Sequence, residues 1–181
     1  MSVTILVAYG TKHGSTREVA CAVAATLEKH GLAVETRPAA DVADLSPYAG
    51  VVIGGAIYMG RWHPDALGLL KRHRRALAAM PVAIFGMGPH TLEQHDVEAA
   101  REQLVKALAK VPEVEPAAVA VLGGVIDPQA LRFPFNQIPP SDARDWPSIR
   151  AWATQLVEAF ACGKAASDAR DDRSALQQSP R

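Results

Sequence analysis

The sequence predicts a doubly wound α/β domain: a five-stranded parallel sheet with helices on both faces. Three observations predict it. Five short runs of β-branched and aliphatic residues alternate with stretches whose apolar residues recur at helical spacing. The run Val51-Val52-Ile53 is apolar at consecutive positions, as a strand covered on both faces requires. Finally, 181 residues, 49% of them apolar and 21% charged, suffice for one compact domain burying about 70% of its extended-chain surface.

The first strand, Val3–Ala8, ends in the loop Tyr9-Gly10-Thr11-Lys12-His13-Gly14. Val19, Val23 and Leu27 then mark one face of a helix from about Ser15 to His30. Ser15 and Glu18 are spaced as a capping box, and Gly31 stands where a helix C′ glycine belongs. Leu32–Arg37 is the second strand and Val51–Ile53 the third. Pro64, a favoured first-turn residue, opens a helix that reaches Ala79. Pro81–Phe85 is the fourth strand, Glu93–Lys110 a helix and Ala117–Leu122 the fifth strand. A loop carrying Pro128, Pro134, Pro139 and Pro140 leads to a last helix over Trp146–Phe160. The domain is therefore expected over 1–162. From Gly163 the sequence is polar and aperiodic, so 163–181 is expected to be a disordered tail.

Lys plus Arg equals Asp plus Glu, 19 against 19, for a formal charge of zero. That balance argues against nucleic-acid binding through net charge. Two cysteines, Cys21 and Cys162, form no C-x-x-C pair, so neither a disulfide framework nor a metal site is expected. Cys21 is expected to pack inside the first helix. The amino terminus lacks a basic n-region, and no run approaches the roughly 20 apolar residues of a membrane span. A reduced, cytoplasmic setting is expected, with peripheral membrane attachment left open.

In a doubly wound sheet the ligand sits beyond the carboxyl ends of the strands. The loops beginning at Tyr9, Gly54 and Gly86 are therefore the candidates. The first places Thr11, Lys12, His13, Gly14, Ser15 and Thr16 at a helix N-terminus, where free amides and the helix dipole favour a phosphate. Thr11, Ser15 and Thr16 add three hydroxyls. A nucleoside triphosphatase loop needs Gly-Lys followed by Ser or Thr, and Gly14 precedes Ser15 instead. Gly10 and Gly14 do not supply G-x-G-x-x-G, and a receiver domain would carry acids after the first and third strands, where Ala8-Tyr9 and Gly54-Gly55 stand.

The run Val7 to Ala20 resembles the flavodoxin signature: Tyr9, Thr11, Gly14, Thr16 and Ala20 fall on it, while Ala8 is smaller than the signature prefers. Within flavodoxin-like proteins, Val51-Val52-Ile53-Gly54-Gly55-Ala56-Ile57-Tyr58-Met59-Gly60-Arg61-Trp62-His63 is similar to a segment of the menaquinone-dependent protoporphyrinogen IX dehydrogenase branch. A basic run, Lys71 to Arg75, follows as it does there. The resemblance covers roughly residues 3–126 and resumes at Asp145-Trp146.

It implies noncovalent binding of flavin mononucleotide (FMN), with the phosphate on Thr11–Thr16. Ala56, Ile57, Tyr58, Met59 and Gly60 would flank one side of the ring, and Gly86, Met87 and Gly88, with Pro89 and His90 behind them, the other. Tyr58 and Trp62 each offer an aromatic face. His63, ahead of Pro64, is expected to start the helix; neither it, His90 nor Cys21 is assigned a catalytic role. The implied function is an FMN-dependent oxidoreductase with a quinone or other redox partner and a porphyrinogen-like substrate. The loop 127–142 is short beside that branch's insertion, and Leu131, Phe133, Phe135 and Ile138 are its apolar residues. Two alternatives stand: a flavodoxin-type electron carrier, and a flavin-free interaction module on the same fold.

Overall fold

Alternation along the central strands decides which helices cover which face. The protein is described here from a computed structural model covering residues 4–176. Residues 1–3 and 177–181, and the side chains of Phe135 and 162–176, lie outside the described residues. Strands β1 (Thr4–Gly10), β2 (Ala33–Pro38), β3 (Tyr48–Tyr58), β5 (Val82–Met87) and β6 (Ala118–Leu122) pair in parallel in the order β2-β1-β3-β5-β6. The order reverses at β1, which pairs with β2 on one side and β3 on the other.

Leu6, Ala8, Val51, Ile53, Val82 and Ile84 point to one face. There they bury Leu69 and Leu70 of α2 (Pro64–Arg72), Leu77 of α3 (Arg74–Leu77), and Leu104 and Ala107 of α4 (Gln94–Leu108). Ile5, Val7, Val52, Ala83 and Phe85 point to the other face. They meet Val19, Val23 and Leu27 of α1 (Ser15–Lys29) and Ile149, Ala153, Leu156 and Phe160 of α5 (Trp146–Leu176). Each face of the sheet has its own apolar layer.

The five predicted strands are present, but β3 is much longer than Val51–Ile53, because parallel pairing continues through Gly54 and Gly55. Gly54 lies opposite Phe85, and a Cβ there would fall 2.0 Å from the Phe85 ring. The glycine makes room for the largest fully buried side chain of that layer. Two small pairings have no counterpart in the sequence pattern: β4 (Arg61–Trp62) folds back on β3, and β7 (Val125–Ile126) pairs with β8 (Ser141–Asp142) across the proline-rich loop. The helix predicted from Pro64 to Ala79 is broken at His73 (φ −110°, ψ 19°), with its Nε2 3.4 Å from the Val42 carbonyl.

Gly31 adopts φ 84°, and the amides of Gly31 and Leu32 donate to the carbonyls of Glu28 and Leu27, the C-terminal stop expected for α1. Cys21, expected to pack, is exposed. At the other end of the chain, α5 continues as helix past Gly163 to Leu176.

Gly54→Ala should lower unfolding free energy by about 1–3 kcal/mol or more, because Phe85 sits in a filled layer and cannot retreat. Urea unfolding with an unchanged slope and a lower midpoint would register it; an unchanged midpoint would contradict it.

Candidate functional site

The crevice at the carboxyl ends of β1, β3 and β5 is built from three loops. The first begins as β1 ends. Gly14 takes φ 93°, a conformation that favours glycine, and its amide donates to Thr11 Oγ1 at 2.9 Å, so the threonine folds the loop back on itself. The expected capping box does not form. Gly14 is the N-cap, α1 has no side-chain cap, and Glu18 turns instead to Arg144. The first-turn amides of α1 are left for another acceptor. Thr16 is fully buried, and its Oγ1 has no hydrogen-bond partner among the described residues. A buried hydroxyl without a partner costs about 1–3 kcal/mol.

The second loop is a hairpin. Met59 (φ 48°) and Gly60 (φ 75°) turn β3 into β4, both with positive φ, as a type I′ connection requires. A left-handed methionine is uncommon, and such residues concentrate at functional sites. Met59 is 70% exposed and Tyr58 43%. Trp62 is instead buried, its Nε1 donating to the Gly55 carbonyl at 3.1 Å. Of the two candidate aromatics, Tyr58 stands at the mouth and Trp62 belongs to the core.

The third loop leaves β5 through Gly86, Met87 and Gly88. Ile57 crosses from the hairpin and packs directly on Gly86 and Gly88, where a Cβ would lie 2.8 Å from its side chain. The Gly88 amide donates to Leu122 and the Gly124 amide to Pro89, which fixes this loop to the end of β6. Met87 is buried, and Ala56 and Ile57 are half-buried. A further bridge joins the first two loops: Lys12 Nζ lies 5.3 Å from the centroid of the Tyr58 ring, a cation–π contact. His13 and His90 are exposed.

The flavodoxin domain family (Flavodoxin_5) matches residues 6–137. The chain belongs to that family. No curated relative matches the sequence. Among solved structures, a cysteine variant of the flavodoxin from Pseudomonas aeruginosa is 17% identical, covering 87% of this chain and 99% of that one at a TM-score of 0.58. Oxidised flavodoxin 1 from Bacillus cereus is 14% identical, covering 86% and 97% at 0.57. Rubredoxin oxygen:oxidoreductase from Desulfovibrio gigas is 14% identical at 0.58, with 90% of this chain matched to 37% of that one. These likenesses establish the shared fold.

FMN is the cofactor that membership in the flavodoxin family indicates, and the first loop fits it. Uncapped amides, the helix dipole and the unpartnered Thr16 hydroxyl form a donor set suited to a phosphate ester. Among the described residues no group of three or more His, Cys, Asp or Glu could hold a metal ion, and no described helix is long and apolar enough to cross a membrane.

Two residues that the sequence left without a site role brace these loops. His63 caps α2 by accepting from the Asp65 amide at 3.3 Å through Nδ1, as a helix-starting residue should. Its ring packs on Gly10 at the head of the first loop. Burial pushes its pKa down against the raising effect of Asp65, whose carboxylate lies 3.8 Å away. Arg144 follows β8 and grips the Asp142 carboxylate through two nitrogens, at 2.9 and 2.6 Å, while also bonding Glu18 on α1 and lying over Trp146. It therefore ties the 127–145 segment to the helix that begins at the first loop. In that segment Phe133 is 75% exposed and Ile138 39%, Leu131 is half-buried, and the Phe135 side chain lies outside the described residues.

Thr16→Val should weaken FMN binding by about 1–3 kcal/mol while leaving urea stability of the flavin-free protein unchanged or higher, since the hydroxyl has no protein partner to lose. Equal FMN affinity in the variant, by fluorescence titration, would contradict this. A second prediction concerns pH. Hydrogen bonds from Arg144 hold the Asp142 pKa below its ordinary 3.8, so this pair contributes stability above that pH and loses it as pH falls through the lower native value. The stability difference between the natural chain and Arg144→Met should accordingly shrink in acid, measured by urea midpoints from neutral pH downward.

Proposed function

We propose that this protein binds FMN noncovalently in the crevice between the three loops and carries electrons between redox partners. One observation carries the proposal: the buried, unpartnered Thr16 hydroxyl beside the uncapped start of α1, which a phosphate ester would satisfy. Thr11 holds the loop, and Ser15 and Thr16 with the first-turn amides bind the phosphate. Ala56, Ile57, Tyr58, Met59 and Gly60 bind one side of the ring, and Gly86, Met87 and Gly88 the other. Bound FMN supplies reversible one- and two-electron redox chemistry. The chain's part is to place the ring at an open mouth, with Tyr58 and Met59 exposed to an incoming partner. Family membership and the fold shared with flavodoxins support the carrier role.

A second reading, a quinone-linked dehydrogenase acting on a porphyrinogen-like substrate, draws on the zero net charge and the Lys71–Arg75 run, which differ from the acidic surface expected of a carrier that docks on basic partners. In the structure much of that run has local partners: Arg72 donates to the Ala39 carbonyl, and Arg74 to the Lys71 carbonyl while also facing Glu113.

Protein incubated with FMN and desalted should retain the near-ultraviolet and blue flavin bands. After anaerobic reduction it should pass electrons to a one-electron acceptor protein faster than free reduced FMN does. Loss of all flavin on desalting would overturn the proposal. Rapid oxidation by a menaquinone analogue, with turnover of protoporphyrinogen, would replace the carrier role by the dehydrogenase role.

A further inference from the structure

The charges on the three loops are one-sided. The stretches 9–17, 54–64 and 86–92, which make up these loops, contain no Asp or Glu, yet they carry Lys12, Arg17 and Arg61 along with His13, His63 and His90. The first acid after each stretch faces a basic group: Glu18 bonds Arg144, Asp65 lies 3.8 Å from His63, and Glu93 lies 3.6 Å from His95. Burial pushes His63 toward its neutral form, so His63 does little to offset the charge of Asp65.

Lys12 differs from the other cations in where its charge is held. Its backbone belongs to the phosphate loop, but its ammonium reaches over the Tyr58 ring, 5.3 Å from the centroid. A cation held there by the quadrupole of the aromatic face stands at the ring end of the crevice. Arg61 lies opposite Tyr58 in the β3–β4 register, so the same end carries a second permanent positive charge.

We propose that Lys12 is a redox-tuning residue: from its seat on Tyr58 it favours the reduced cofactor and raises the reduction potential. The inference rests on the FMN site proposed above. Reduction adds two electrons from the redox partner; when only one proton is taken up from solvent, the ring ends one charge more negative than before. A nearby fixed cation stabilises that state more than the oxidised, neutral ring. The sign follows directly: removing the cation weakens binding of reduced FMN more than of oxidised FMN, and the potential falls.

The test uses the full chain loaded with FMN, comparing the natural protein with Lys12→Gln, Lys12→Arg and Lys29→Gln. Lys29 is an exposed cation in the last turn of α1, remote from the crevice. Reductive titration against a reference dye gives the midpoint potential, and fluorescence titration gives the affinity for oxidised FMN. Lys12→Gln should reduce the preference for reduced over oxidised FMN by about tenfold, a drop of about 30 mV for a two-electron couple. Lys12→Arg should restore most of it, and Lys29→Gln should change the preference by less than twofold. An unchanged potential in loaded Lys12→Gln would overturn the inference alone. So would equal weakening of oxidised and reduced FMN, which would make Lys12 a simple phosphate contact. Failure of the natural chain to take up FMN would overturn the binding proposal first, before any potential is measured.

Discussion

Parallel pairing of β1 with β2 on one flank and β3 on the other sets the rest of the structure. Because the chain must leave β1 in one direction and β3 in the other, the helices that follow them fall on opposite faces, and a crevice opens between the two connections. The apolar layers on both faces hold the strands rigidly, so the loops at their carboxyl ends are positioned without being filled. A shift of one residue in the β1–β3 register would exchange the Leu6/Ala8 and Ile5/Val7 sets between faces, which both layers forbid.

The crevice is a set of mutually braced loops. Ile57 couples the hairpin to Gly86 and Gly88, His63 couples the start of α2 to Gly10, and Lys12 couples the first loop to Tyr58. Arg144 adds an outer tie from β8 to α1. Each coupling joins residues distant in sequence, so displacement of one loop is felt by the others. Among the described residues two buried hydroxyls stay without a partner, Thr16 beside the uncapped start of α1 and Ser141 on β8.

The five strands, the alternation of helices and the location of the three loops were legible in the sequence because they rest on local periodicity and on glycine, proline and β-branched residues. The loop that carries Thr11, Gly14 and Thr16 between β1 and α1 was legible through their spacing. The two small hairpins were not, since two-residue strands are too short to show a period of two, and Met59-Gly60 lacks the Asn-Gly or Asp-Gly pair that marks a type I′ turn. Glu18 read as a capping partner because its nearest competitor, Arg144, lies more than a hundred residues away in the chain.

The amino-acid order by itself determined the layered architecture and a loop of glycines and hydroxyl residues between the first strand and its helix, because both depend on interactions within one element or between neighbours. Only the tertiary structure decided which buried hydroxyls are left without a partner, that Trp62 faces the core while Tyr58 is exposed, and that the Lys12 ammonium lies over the Tyr58 ring of another loop. Those outcomes depend on which surfaces the sheet brings into contact, and contact between distant segments leaves no trace in local periodicity.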